Sequence, residues 1–304
     1  MRTYKGFLID SSRWERFLPR PDDVIIATPA KCGTTWVQHL VGMLLMGTTE
    51  FGQPLTRISP WLDALFTSEQ QVFETLGDQT HRRFIKTHTP LDGLPWRDSW
   101  IYITVFRHPL DAALSWRNHI ENSDPIHIRE LVAQVTGRPP EPPPPPLPTD
   151  PAAYLRYWID SEVEPNGAGL LGLSDYANTL RATWERRHES NVHLFHYDAL
   201  WGDLGGQVGR LADILNVALD ADRLSAIVEA ATLDAMRSRA RETAPYGDAT
   251  VFKQAEAFFR SGGRREWPAL LTSDEISEVA RRLEAMVGRE AAAWALQDNT
   301  ANRD

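Results

Sequence analysis

The chain has 304 residues, 42% of them hydrophobic and 24% charged, and a formal net charge of −9. That is the balance of a globular chain with enough length for one large α/β domain or two small ones, and its negative charge argues against nucleic acid as the main partner. A single cysteine, Cys32, excludes an internal disulfide and a thiol-rich metal site and suits a reducing cytoplasm.

The first residues lack the apolar core of a signal peptide, and no window approaches about 18 uninterrupted apolar residues, so no membrane span is expected. Scattered aromatics at Tyr4, Phe7, Trp14 and Phe17 suggest a lid or edge segment before the first strand. Residues 24–46 then read as three pieces. Val24 to Ala27 form an apolar run, as in a strand buried on both faces. Residues 28–35, TPAKCGTT, are too polar and broken to continue it. Trp36 to Met46 form a buried helix, and Gly47 is its C-cap. A strand, a loop and a helix N-terminus in succession make a cradle for an anion. Gly33 allows close approach to the backbone, Thr34 and Thr35 add hydroxyl donors, and Lys31 adds a mobile charge. The lysine precedes the glycine, so this is no Walker A loop. An ordinary strand-to-helix turn would have the same outline.

Residues 54–66 are expected to be a loop followed by a short helix, with Trp61 and Phe66 facing either a pocket or the core. Residues 83–86 read as a second strand, ended by Pro90, with Lys86 and His88 at its carboxyl end, where ligands sit in parallel sheets. Residues 100–106, WIYITVF, are the clearest strand. Arg107 follows it and a helix over 110–119 carries Ser115, with Asp111 near its start where the dipole favours an acid. This is a second strand, cation and helix unit aimed at the same rim, and a guanidinium is a preferred phosphate partner.

The 138–148 stretch, RPPEPPPPPLP, is extended and stiff, and reads as an insertion in a flap over the active site in preference to an SH3-type ligand. Helices are expected over 152–164 and 175–188, a buried strand over 192–197, and amphipathic helices over 204–215 and 220–231, with 232–241 continuing or ending the last. His188, His193 and His196 invite a metal reading, which their strand geometry and the lack of an acidic second shell disfavour. A Gly-Gly turn at 262–263, flanked by Arg260, Arg264 and Arg265, is either a phosphate-gripping loop or a basic surface turn. A closing helix spans 272–285, and 298–304 form a frayed tail.

Four of these stretches resemble the motifs of cytosolic-type sulfotransferases. TPAKCGTTW at 28–36 resembles the family's 5′-phosphosulfate loop. KTHTP at 86–90 matches its Lys-Thr-His strand end. RHPLDAALS at 107–115 resembles its 3′-phosphate motif, and 259–267 resembles its last Gly-rich loop ending in tryptophan. The order is the family's, and the wording of 81–93 and 232–240 is closest to mycobacterial glycolipid sulfotransferases. The resemblance implies a single-domain α/β chain, residues 1–304, with a P-loop-like fold and a central parallel sheet flanked by helices. It implies 3′-phosphoadenosine 5′-phosphosulfate as donor and a small-molecule or lipid hydroxyl as acceptor, with no metal.

Carried over by position, Lys31, Cys32, Gly33, Thr34 and Thr35 hold the 5′-phosphosulfate, and Trp36 stacks on adenine. Arg107, Ser115, Arg260, Ser261 and Gly262 hold the 3′-phosphate, with Tyr197 and Thr232 near the adenine. His88 is the general base, and Lys31 and Lys86 steady the leaving and transferring groups. Phe7, Trp61, Phe66, Trp96 and Trp116 are candidates for an apolar acceptor pocket. The chain departs from the pattern at Cys32, which replaces the loop serine, and at Ser261, which replaces a basic residue. At the family's dimer motif only Thr272 survives, so a homodimer would not form by that route. A P-loop kinase using ATP and Mg²⁺, and a non-catalytic binder of adenosine 3′,5′-bisphosphate, are the competing readings.

Overall fold

The computed structural model describes residues 1–140, 142, 145–162, 172–245, 251–259 and 265–297. Its centre is a four-stranded sheet in the order β2-β1-β3-β4, formed by β1 (Val24–Ala27), β2 (Phe84–Thr87), β3 (Ile101–Phe106) and β4 (Val192–His196). Every pairing is parallel, so all four carboxyl ends open on one rim. β1 lies between β2 and β3, and the chain turns to opposite sides of it on leaving. The crevice at such a switch point is where an open α/β sheet binds its ligand.

The alternation of β1 explains why its sequence is apolar throughout. Val24 and Ile26 enter one core with Leu40, Val41 and Leu44 of the Thr34–Met46 helix and with Val208 and Leu211 of the Leu204–Leu215 helix. Ile25 and Ala27 enter the opposite core with Trp14, Ile85, Trp100 and Tyr102. A strand covered on both faces has no polar side. A third core joins Phe106 and Leu110 to the Leu173–Trp184 and Ser273–Val287 helices through Tyr176, Leu180, Val279 and Leu283.

The amino-terminal segment, expected as a lid or edge segment, packs against the body of the fold as an edge. Tyr4, Trp14 and Phe17 are buried, and Ile9 bridges to Ala64. The order within 54–66 is also the reverse of that expected. A one-turn helix, Leu55–Ile58, comes first, and a stretch of turns and isolated bridges follows, in which Trp61 bridges to Lys86 alongside β2. Two helices, Glu69–Asp78 and Pro125–Thr136, occupy stretches for which the sequence suggested nothing. Among the described residues no helix is long and apolar enough to cross a membrane. Of the Pro-rich stretch, residues 141, 143 and 144 lie outside the described residues.

Candidate active site

A cavity opens at the carboxyl ends of β1, β2 and β3, lined by Lys31, Gly33, Thr34, Thr35 and Trp36 from the first unit, Lys86 and His88 from the second, and Arg107 and Ser115 from the third. The loop after β1 turns through two left-handed residues, Lys31 with φ 60° and Gly33 with φ 108°. Gly33 is also the N-cap of the Thr34–Met46 helix. A Cβ there would lie 3.0 Å from the Tyr197 ring as well as in a disfavoured conformation. The hydroxyls of Thr28 and Thr34 bond to each other across the loop. Cys32 takes no part through its side chain. The thiol is fully buried in the third core, and burial pushes it up to about 12. Only its backbone remains for a ligand, so the loss of the family's serine hydroxyl is a substitution toward the core.

The second unit is set by a buried carboxylate that the sequence reading overlooked. Asp63 Oδ2 accepts hydrogen bonds from Trp14 Nε1 at 2.9 Å, Thr87 Oγ1 at 2.6 Å and Thr89 Oγ1 at 2.6 Å. Thr87 and Thr89 alternate with Lys86 and His88, so gripping the two threonines turns the lysine and the histidine to the other face, into the cavity. Lys86 Nζ lies 4.4 Å over the Trp61 ring, whose edge meets His88 at 4.7 Å.

His88 Nδ1 lies 2.7 Å from the carbonyl oxygen of Thr28. A carbonyl can only accept, so Nδ1 carries the proton and Nε2 keeps its lone pair. Burial, then the Lys86 charge, holds His88 well below an ordinary imidazole, which keeps it neutral near pH 7. Burial, followed by the charges of Lys86 and Arg107, pushes Lys31 down to about 7. Burial pushes Lys86 down to about 8, against the pull of Asp63. Lys31, Lys86 and Arg107 thus converge on one cavity, where the other two cations weaken Lys31. Such a cluster is built for a strongly anionic guest.

In the third unit, Arg107 lies 4.5 Å over the Tyr197 ring and 4.0 Å from Asp111 Oδ2. Asp111 is buried and also accepts the Arg265 backbone N–H at 2.8 Å. The acid expected to serve the helix dipole therefore ties the last loop back to the β3 end. Tyr197 and Trp36 meet edge-on at 5.4 Å, and Trp36 Nε1 is fixed to the Ala231 carbonyl at 3.0 Å. Thr232 is exposed, and its hydroxyl caps the next helix by accepting from Ala235 N. Its neighbours Ala231 and Leu233 line the cavity instead. Arg260, Ser261, Gly262 and Arg264 lie outside the described residues.

Of the acceptor-pocket candidates, Trp61, Phe66 and Trp116 line the cavity. Trp96 instead stacks on Tyr102 under Arg186, and Leu8 lines the cavity in place of its neighbour Phe7. His196 caps a helix by accepting from Asp198 N, and among the described residues no three metal-ligating side chains cluster.

A parallel sheet with three cation-bearing units at its switch point defines an α/β protein that handles a multiply charged anion. The chain belongs to the sulfotransferase domain family, whose model matches residues 21–291, and it is a sulfotransferase enzyme. It is 38% identical over 304 aligned residues to a glycolipid sulfotransferase of Mycobacterium bovis (strain BCG / Pasteur 1173P2), an alignment that covers 96% of this chain and 93% of that one. Its fold is that of mouse sulfotransferase SULT7A1 complexed with PAP, with a TM-score of 0.65, 18% identity, and coverage of 94% of this chain and 93% of that one. Retinol dehydratase in complex with androsterone and inactive cofactor PAP is similar at a TM-score of 0.66, with 18% identity and coverage of 98% and 90%.

Proposed function

We propose that the enzyme moves the sulfuryl group of 3′-phosphoadenosine 5′-phosphosulfate to a hydroxyl of an apolar alcohol, phenol or glycolipid, with His88 as general base. The observation that carries this reading is the convergence of Lys31, Lys86 and Arg107 on one cavity beside a neutral imidazole whose Nε2 is free to accept a proton. The 28–35 loop and Lys31 would hold the 5′-phosphosulfate, and Arg107 and Ser115 the 3′-phosphate. Tyr197 and Trp36 would flank the adenine. The PAP in the two solved relatives and the glycolipid in the mycobacterial relative's name favour the same donor and one of these acceptors.

In the reaction the acceptor oxygen attacks sulfur in line with the departing phosphate oxygen. One S–O bond forms as the other breaks, and the acceptor's proton passes to His88 Nε2. Lys31 neutralises the charge that grows on the leaving phosphate, and Lys86 steadies the transferring group. A sulfuryl group bears less charge than a phosphoryl, so two lysines can do what a metal does in phosphoryl transfer.

The test uses labelled donor in the presence of EDTA, with adenosine 3′,5′-bisphosphate (PAP) binding measured in parallel. Transfer should persist without metal, and ATP should not serve as donor. His88→Ala should abolish transfer and leave PAP binding nearly intact. Arg107→Ala should weaken PAP binding by more than about 1.5 kcal/mol. Equal loss of binding in the two variants, or a requirement for ATP and Mg²⁺, would refute the assignment.

A further inference from the structure

Transfer as proposed uses one imidazole, yet a second faces the same cavity. His119 lies one helical turn beyond Ser115 on the Pro109–Asn122 helix. Its ring stacks on Trp116 at 5.0 Å and 24°, and Phe252 and Phe258 meet it edge-on at 5.2 and 6.1 Å. Phe258 in turn lies 4.1 Å beneath Lys31 Nζ, so His119 stands one ring away from the lysine at the phosphosulfate loop. Three aromatic neighbours fix the ring's orientation.

His119 Nδ1 is sealed and has no hydrogen-bond partner among the described residues. The buried imidazoles of His88 and His39 behave differently, each meeting a backbone carbonyl. A sealed N–H with nothing to accept it is costly, whereas a sealed lone pair is tolerated more readily. The proton therefore belongs on Nε2, which makes His119 a hydrogen-bond donor toward the cavity. Burial, with the charges of Lys31 and Lys86, holds the ring well below an ordinary imidazole, so it offers a neutral N–H rather than a charge. The lining also includes the apolar residues Leu8, Phe66 and Ile128, and a buried N–H whose ring is packed among aromatics is satisfied only by an oxygen that a ligand supplies.

We propose that His119 is a specificity-determining residue that binds a second oxygen of the acceptor, selecting polyhydroxylated amphiphiles over simple alcohols. One hydroxyl of a sugar-type head meets His88 while another oxygen accepts from His119 Nε2, and the hydrocarbon tail follows Leu8, Phe66 and Ile128. This rests on the sulfotransferase reading above.

Octyl β-D-glucoside and 1-octanol share a tail and differ in the head, so they test it directly. With 3′-phosphoadenosine 5′-phosphosulfate as donor, kcat/KM is measured for both on the wild type, His119→Phe and His119→Gln. The wild type should favour the glucoside. His119→Phe should lower the glucoside-to-octanol ratio at least tenfold with the donor KM unchanged, and His119→Gln, which keeps an N–H donor, should restore part of it. An unchanged ratio, or a raised donor KM that places His119 on the phosphosulfate, would overturn the proposal. Transfer by the wild type to octanol but not to the glucoside would overturn it as well. Transfer to neither acceptor would instead sink the underlying reading of the cavity.

Discussion

Asp63 shows how a residue outside the reaction sets it. Its carboxylate is fully buried, with one oxygen shared by Trp14, Thr87 and Thr89. Removing that charge loosens the strand end that aims Lys86 and His88, and a misplacement of about 1 Å can cost about 10²-fold in rate. Asp63→Asn should therefore lower kcat by about that factor, with a smaller loss of PAP affinity. Because Asp63 also supports the charge of Lys86, the alkaline limb of the rate profile should move to lower pH. A variant that loses rate only in proportion to its loss of thermal stability would show Asp63 to be a core residue and nothing more. The sequence gives Asp63 no motif. Its role follows from two threonines about 25 positions downstream, and a contact across that separation has no period to betray it. Lys86, His88 and Arg107 stand out in the sequence because each ends or directly follows a strand, and Lys31 because it sits in the polar loop between β1 and its helix. Thr232 carries a second, local role, since a threonine before a helix is as good a cap as it is a ligand contact.

At the scale of elements, the strands were legible and some of the helices were not. β1 and β3 are mainly apolar on both faces, β2 opens on Phe84 and Ile85, and all four strands are bounded by polar or breaking residues, so the sequence places them within a residue or two. The Glu69–Asp78 and Pro125–Thr136 helices bury only one or two side chains each, so their apolar stripes are too thin to stand out. The Arg289–Ala295 helix was also missed, its buried face being made of alanines. The Thr34–Met46 helix differs, because it is buried along nearly its whole length and its N-terminus is the anion cradle. Its far end can be weakened without touching the cradle. Leu44→Ala removes a side chain that is 1% exposed and should cost about 2–5 kcal/mol of stability. PAP affinity, measured by calorimetry well below the melting temperature, should change less than threefold. A parallel collapse of affinity would mean that the helix N-terminus is not held independently by the sheet.

For the whole molecule, a chain of net charge −9 gathers three cations at one rim. Burial holds Lys31 near 7 and Lys86 near 8, and Lys31 is lowered further by the charges of Lys86 and Arg107. A bound bisphosphate supplies the missing negative charge and raises both values. The sign follows from linkage: affinity gained in this way is full below the free values and fades as pH rises through 7 and 8 toward the values in the complex. PAP binding at pH 8 should therefore take up protons, read as a dependence of calorimetric enthalpy on the ionisation enthalpy of the buffer. Binding should also weaken from pH 6.5 to pH 9. No proton uptake would mean that the lysines are already charged in the free enzyme or do not meet the ligand.

The central claim is that the carboxyl ends of β1, β2 and β3 grip the two ends of one nucleotide and leave His88 at its reactive tip. A crystal structure with PAP tests it most directly. The account predicts the 5′-phosphate within hydrogen-bonding distance of Lys31 and the Thr34 and Thr35 backbone, the 3′-phosphate on Arg107 and Ser115, and His88 Nε2 facing the 5′-phosphate. A nucleotide seated elsewhere, or one whose 3′-phosphate points into solvent away from Arg107, would contradict it.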